Sequence, residues 1–112
     1  MSTFDERERG FEGKFAHDEE TEFKAVSRRN RLMGLWAAER MGLEGEHRED
    51  YARAIIRVEL GEGGDEAVIR KVIQDLTASN EKVSEGEVRQ KLQELHAIAR
   101  EQAKAGAAGK GA

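Results

Sequence analysis

Apolar residues recur along this chain at intervals of three and four, the spacing of one helix face, and no alternating run competes for a strand. From Glu22 to Met41, Phe23, Val26, Met33 and Trp36 step along one face, which Leu32, Leu35 and Met41 widen. Gly42 and Gly45 flank a short turn. A second helix is predicted over Glu46 to Leu60, with Tyr51, Ile55 and Val58 on one face and Ile56 beside them. Gly61, Gly63 and Gly64 end it. Asp65 is placed to N-cap a third helix reaching about Ser79, whose stripe is Val68, Ile69, Val72, Ile73 and Leu76. Ser84-Glu85-Gly86-Glu87 fits a capping box, in which the Ser and Glu side chains each accept from the other's backbone N–H. The helix it opens carries Val88, Leu92, Leu95, Ile98 and Ala99 on one face. The tail Ala105–Ala112 holds Gly, Ala and one Lys, has nothing to bury, and is expected to be disordered. The fold class that follows is all-α: a small four-helix bundle over 19–104, preceded by a weakly ordered N-terminal segment over 1–18.

That first segment has a composition of its own. Up to Glu22, Asp5, Glu6, Glu8, Glu12, Asp18, Glu19, Glu20 and Glu22 stand against Arg7, Arg9 and Lys14, a net charge of −5. Phe4, Phe11 and Phe15 are three of the four phenylalanines in the protein, and their spacing places all three on one face of a helix. Gly10 and Gly13 interrupt that face, each at about 1 kcal/mol of helix stability relative to Ala. A marginal helix with an aromatic stripe is suited to folding on a partner. The alternative is that the rings fold back and complete the bundle core, which suits Phe15 in part. Phe4 and Phe11 lie far from the first predicted helix, among acids and two glycines, where core burial is harder, so an exposed recognition segment is favoured for those two.

Composition removes several function classes. The 112 residues suffice for one small domain with a modest core. The absence of proline agrees with a mostly helical chain, and the absence of cysteine excludes disulfides, thiol catalysis and the common zinc sites. A net charge of −4 argues against nucleic acid as a general partner. No apolar run approaches the roughly 18 residues of a membrane span, and no signal-peptide pattern is present, so a protein neither membrane-spanning nor exported is expected.

Candidate chemistry is sparse. His17, His47 and His96 lie in different elements without the spacing of a ligand pair, so they read as surface histidines and no metal is expected. Gly61-Glu62-Gly63-Gly64-Asp65 has the glycines of a phosphate loop. It follows a helix rather than a strand, however, and delivers two acids where Lys and Ser or Thr are needed, so it reads as a turn. No carboxylate is forced into a dry pocket, so an enzyme is not expected. The basic run is sharper: Lys24, Arg28, Arg29 and Arg31 contain no acid among them, and Lys24, Arg28 and Arg31 share one helical face. Such a face either pairs with the acidic segment before it or docks on an acidic partner.

At these residues the chain resembles a family. Thr3-Phe4-Asp5-Glu6-Arg7-Glu8, Phe11-Glu12-Gly13-Lys14-Phe15-Ala16-His17-Asp18-Glu19-Glu20 and Arg28-Arg29-Asn30-Arg31-Leu32-Met33-Gly34-Leu35-Trp36-Ala37-Ala38 are similar to the zeta-subunit inhibitors of alphaproteobacterial F-type ATP synthase. The likeness is dense over the first 40 residues and looser beyond, where it rests on the helix layout and the Asp75-Leu76 and Ser84-Glu85 regions. It implies a four-helix bundle in the cytoplasm, peripheral to the membrane only through the synthase. Its N-terminal segment would enter between the alpha and beta catalytic subunits and the central gamma stalk and block ATP hydrolysis. Carried onto this sequence, the inhibitory element is Phe4 to Phe15, and the hinge into the bundle lies near His17-Asp18-Glu19-Glu20. The partner-binding residues would be Phe4, Asp5, Arg7, Glu8, Phe11, Lys14 and Phe15, with Lys24, Arg28 and Arg31 from the bundle. No cofactor is required, although weak ADP or ATP binding is suggested for the family. Alanine is common in it where this chain has Gly10 and Gly13. The alternative is a helical protein–protein adaptor that works through the Lys24–Arg31 face.

Overall fold

The structure, a computed structural model, describes the backbone of residues 2–111 and the side chains of residues 19–106. It has four helices in chain order, α1 (Ser2–Arg40), α2 (Glu46–Leu60), α3 (Gly64–Ala78) and α4 (Glu85–Gly111), and no strand among the described residues. The side chains expected to form the recognition segment over 1–18, and the tail over 107–112, lie outside those described. Ala105 and Gly106, at the start of the expected tail, are exposed on α4.

α1 is the spine of the bundle and shares its largest interfaces with α4 and α2. Met33, Ile55, Val68, Val72, Leu76 and Val88 are fully buried, with Ala37, Ile69 and Leu92 among them. Each large apolar side chain withdrawn from water contributes roughly 1.5–3 kcal/mol. Trp36, Met41, Tyr51, Val58, Ile73, Val83 and Leu95 close the rim. Two cations lie over the Trp36 ring, the Arg40 guanidinium at 5.2 Å from its own helix and the Lys91 ammonium at 5.8 Å from α4.

Small residues set the α1–α2 distance. Ala25, Ala37, Ala38 and Ala52 are fully buried, and a Cβ placed on Gly34 would come within 2.5 Å of the Ala52 Cα. The two backbones approach so closely at Gly34 that even a methyl group has no room.

The turns use left-handed residues. Gly42 at φ +78° reverses the chain after α1, and the Leu43 N–H donates to the Ala38 carbonyl at 2.9 Å, closing a Schellman-type cap. Asn80 at φ +64° does the same for α3, with Glu81 N–H donating to Leu76 O at 2.9 Å. Gly63 at φ +98° caps the N-terminus of α3 by backbone alone.

Four expectations are corrected. Phe23 is in phase with the core stripe yet 66% exposed, and α2 stops at Leu60 beside it. Ile98 is likewise exposed on α4. Asp65 does not cap α3. It stands in the first turn, where its charge complements the helix dipole, and its carboxylate is drawn inward to Arg29. The capping box at α4 is half made: Glu87 N–H donates to Ser84 Oγ at 3.1 Å, but the Glu87 carboxylate accepts from Arg40 Nη1 at 2.8 Å instead of returning to Ser84.

Candidate functional site

The basic run on α1 separates into two roles by helical phase. Arg29 lies four residues from both Ala25 and Met33, so it faces inward and its side chain is only 4% exposed. Its guanidinium is shared among the other three helices. Nη2 donates to Asp65 Oδ1 at 2.7 Å and lies 3.4 Å from Glu59 Oε2, Nη1 reaches Asp65 Oδ2 at 3.4 Å, and Nε donates to the neighbouring Asn30 Oδ1 at 3.0 Å. Nη1 also lies 3.3 Å from His96 Nδ1. A guanidinium has only N–H groups to offer, so Nδ1 accepts and the imidazole proton sits on Nε2, pointing at Glu22 Oε1 3.0 Å away. His96 is therefore a member of a partly buried polar network and not an ordinary surface histidine.

Burial dominates the electrostatics at Glu59. Loss of water pushes its carboxyl from 4.5 up to about 7, the neighbouring Asp65 carboxylate adds to the rise, and Arg29 and Asn30 act against it. The short bond from Arg29 holds Asp65 below its ordinary value. One guanidinium thus serves two carboxyl groups unequally. Such a network ties α1, α2, α3 and α4 at one point and so positions the helices.

Lys24, Arg28 and Arg31 are brought together as their phase implies. They edge an open cleft of about 650 Å³ whose apolar floor includes Phe23, Leu32 and Ile56. Arg31 is held by a two-point pair with Glu49 of α2, at 2.8 and 3.3 Å, and Lys24 pairs with Glu20 one turn earlier at 3.2 Å. These pairs are half exposed and worth a few tenths of a kcal/mol each, so a partner can displace them cheaply. Arg28 makes no ion pair among the described residues. The other residues expected to bind a partner, Phe4, Asp5, Arg7, Glu8, Phe11, Lys14 and Phe15, lie outside the described side chains.

Sequence reasoning counted Arg29 with its basic neighbours and missed its burial. The signal was its phase, four residues from Met33, in a stripe read only for apolar residues. Elsewhere the surface is structural. Tyr51 Oη donates to Asp75 Oδ2 at 2.8 Å, and burial with that bond pushes the phenol up. Arg89 grips Glu66 at two points and Glu85 at a third. No group of three His, Asp or Glu among the described residues is placed to hold a metal. None of the four helices has a stretch among the described residues long and apolar enough to cross a membrane.

The family model for ATPase inhibitor subunit zeta matches residues 1–102 of the chain. A structure solved in solution by NMR superposes with a TM-score of 0.63 at 44% sequence identity, covering 71% of this chain and 91% of that one. No curated protein matches the chain.

Proposed function

The chain belongs to the family of ATPase inhibitor subunit zeta, and from that premise we propose that it stops ATP hydrolysis by the F-type ATP synthase by inserting its N-terminal segment into the catalytic head. The segment Phe4 to Phe15 is the inhibitory element, entering between the alpha and beta subunits and the gamma stalk on the cytoplasmic side. The bundle anchors it and performs no catalysis.

The observation that carries this reading is the family match over 1–102, which takes in both the aromatic segment and the bundle. Energetics supports the division of labour. Burying Phe4, Phe11 and Phe15 contributes roughly 5–9 kcal/mol. Ordering a dozen residues costs about 1–2 kcal/mol each. The segment cannot hold by its aromatics alone. It needs backbone hydrogen bonds, contacts from Asp5, Arg7, Glu8 and Lys14, and a docked bundle that raises its local concentration. The cleft edged by Lys24, Arg28 and Arg31 gives the bundle a surface for an acidic patch of the enzyme.

Titration of ATP hydrolysis by the cognate soluble catalytic head tests the reading, using the full chain and a version that begins at Phe15. Saturable inhibition by the full chain alone is expected. Inhibition by both would move the function into the bundle, and inhibition by neither would favour an adaptor that recruits another partner through the Lys24–Arg31 face.

A further inference from the structure

Phe23 stands between two clefts of opposite charge. On one side are Lys24, Arg28 and Arg31, and no carboxylate among the described residues lines that cleft. On the other, a groove of about 400 Å³ runs between α1 and α2 with Phe23, Val26, Ile56 and Leu60 as its walls. Among the described residues, every charged group along this second groove is a carboxylate: Glu19, Glu22 and Glu59. Phe23 is 66% exposed and Leu60 70%, so the apolar walls stand open to water at the point where α2 ends.

The carboxylates are incompletely matched. Glu19 has no cation within salt-bridge reach among the described residues. Glu59 Oε2 is buried without a hydrogen-bond partner, because Arg29 spends its 2.7 Å bond on Asp65 and stands 3.4 Å from Glu59. Glu22 is divided between His96 at 3.0 Å and Arg100 at 3.8 Å. An acidic occupant would meet three carboxylates. A wholly apolar one would seal the Glu59 carboxyl from water with Oε2 still lacking a hydrogen bond and would leave Glu19 unpaired, which is costly. A cation on an aliphatic stem meets both demands, its methylenes along Phe23 and Leu60 and its head at the acids.

We propose that this groove docks a basic amphipathic helix of the ATPase, with apolar residues seated between Phe23 and Leu60 and a Lys or Arg paired with Glu19 and Glu59. A helix suits the place because the groove is itself the furrow between two helices, which accepts side chains spaced three and four apart. The inference rests on the inhibitor reading and adds to the Lys24–Arg31 cleft a second enzyme-facing surface, on the other side of Phe23, and the chemistry of what it meets.

The test is binding of the full chain to the cognate catalytic head by calorimetry, with ATP hydrolysis followed in parallel. Leu60→Ser and Glu19→Lys, both at exposed positions, are each expected to weaken binding about tenfold or more with the thermal midpoint unchanged. Gln74→Ser, exposed on α3, serves as the control. A photoreactive residue at position 60 is expected to label an enzyme segment that carries Lys or Arg. Labelling of an acidic segment, or groove variants that bind as tightly as the parent chain, overturns the proposal. Binding without slowed hydrolysis overturns the inhibitor reading while the groove is still judged on its variants, and no binding at all overturns both.

Discussion

Arg29 of α1 and Asp65 of α3 form a two-point pair, at 2.7 and 3.4 Å, in which the guanidinium is 4% exposed and the carboxylate 54% exposed. The cation is sealed inside the bundle and its principal counter-charge closes it from the surface. A charge held this way has no cheap alternative once either partner is removed.

Arg29→Ala should therefore destabilise the bundle by about 3–5 kcal/mol, since it leaves Glu59 and Asp65 facing each other and opens a cavity. Arg28→Ala, one residue away on the outer face, should stay within about 0.5 kcal/mol of the parent. Denaturant unfolding of the two variants separates the buried arginine from its exposed neighbour.

Glu59 gives the fold a pH dependence with a defined sign. Its folded value of about 7 lies above the ordinary 4.5, so the folded state holds the proton more tightly than the unfolded chain does. Stability then declines as pH rises from about 4.5 through about 7. Asp65, lowered mainly by Arg29, acts in the opposite sense and only as pH falls through the acid range near and below 3.8. Glu59→Gln should flatten the neutral slope and stabilise the protein above pH 7 by on the order of 1 kcal/mol. Thermal midpoints across that interval provide the check, and an unchanged slope in the variant would remove Glu59 as its source.

Gly34→Ala, a favourable change in most helix interiors, should destabilise this protein. The added methyl group meets the Ala52 Cα at 2.5 Å, so α1 and α2 must separate. The expected cost is about 1–3 kcal/mol, outweighing the roughly 1 kcal/mol of helix propensity gained. Gly34→Ala combined with Ala52→Gly should recover only part of the loss, because the obstructing atom is backbone.

Gly10→Ala with Gly13→Ala should strengthen inhibition. The pair removes about 2 kcal/mol of helix cost from the bound segment, on the order of thirtyfold in affinity. The concentration for half-maximal inhibition of ATP hydrolysis should fall, and the thermal midpoint of the bundle should stay where it is.

The layout of α2 was legible to the residue, from Glu46 to Leu60, because glycines bracket a stripe with no competing pattern. The cores of α3 and α4 followed from helical spacing in the same way. Phe23 shows where periodicity stops: phase says which way a side chain points and is silent on whether a neighbouring helix is long enough to cover it. Asp65 shows a second limit, since a local preference for the cap position lost to an ion pair with a residue 36 positions away. Arg29 and His96 were hidden for the same reason, for their partners come from four different helices and no short window of sequence contains them.

Trp36, with the Arg40 and Lys91 side chains over its ring, is the protein's single tryptophan. Its fluorescence is therefore an undiluted optical signal from the α1–α4 seam, generated more than twenty residues along the chain from the end of the aromatic segment at Phe15. Emission from that one ring can be followed while an enzyme engages the segment, and it reports separately whether the seam opens or stays shut during capture.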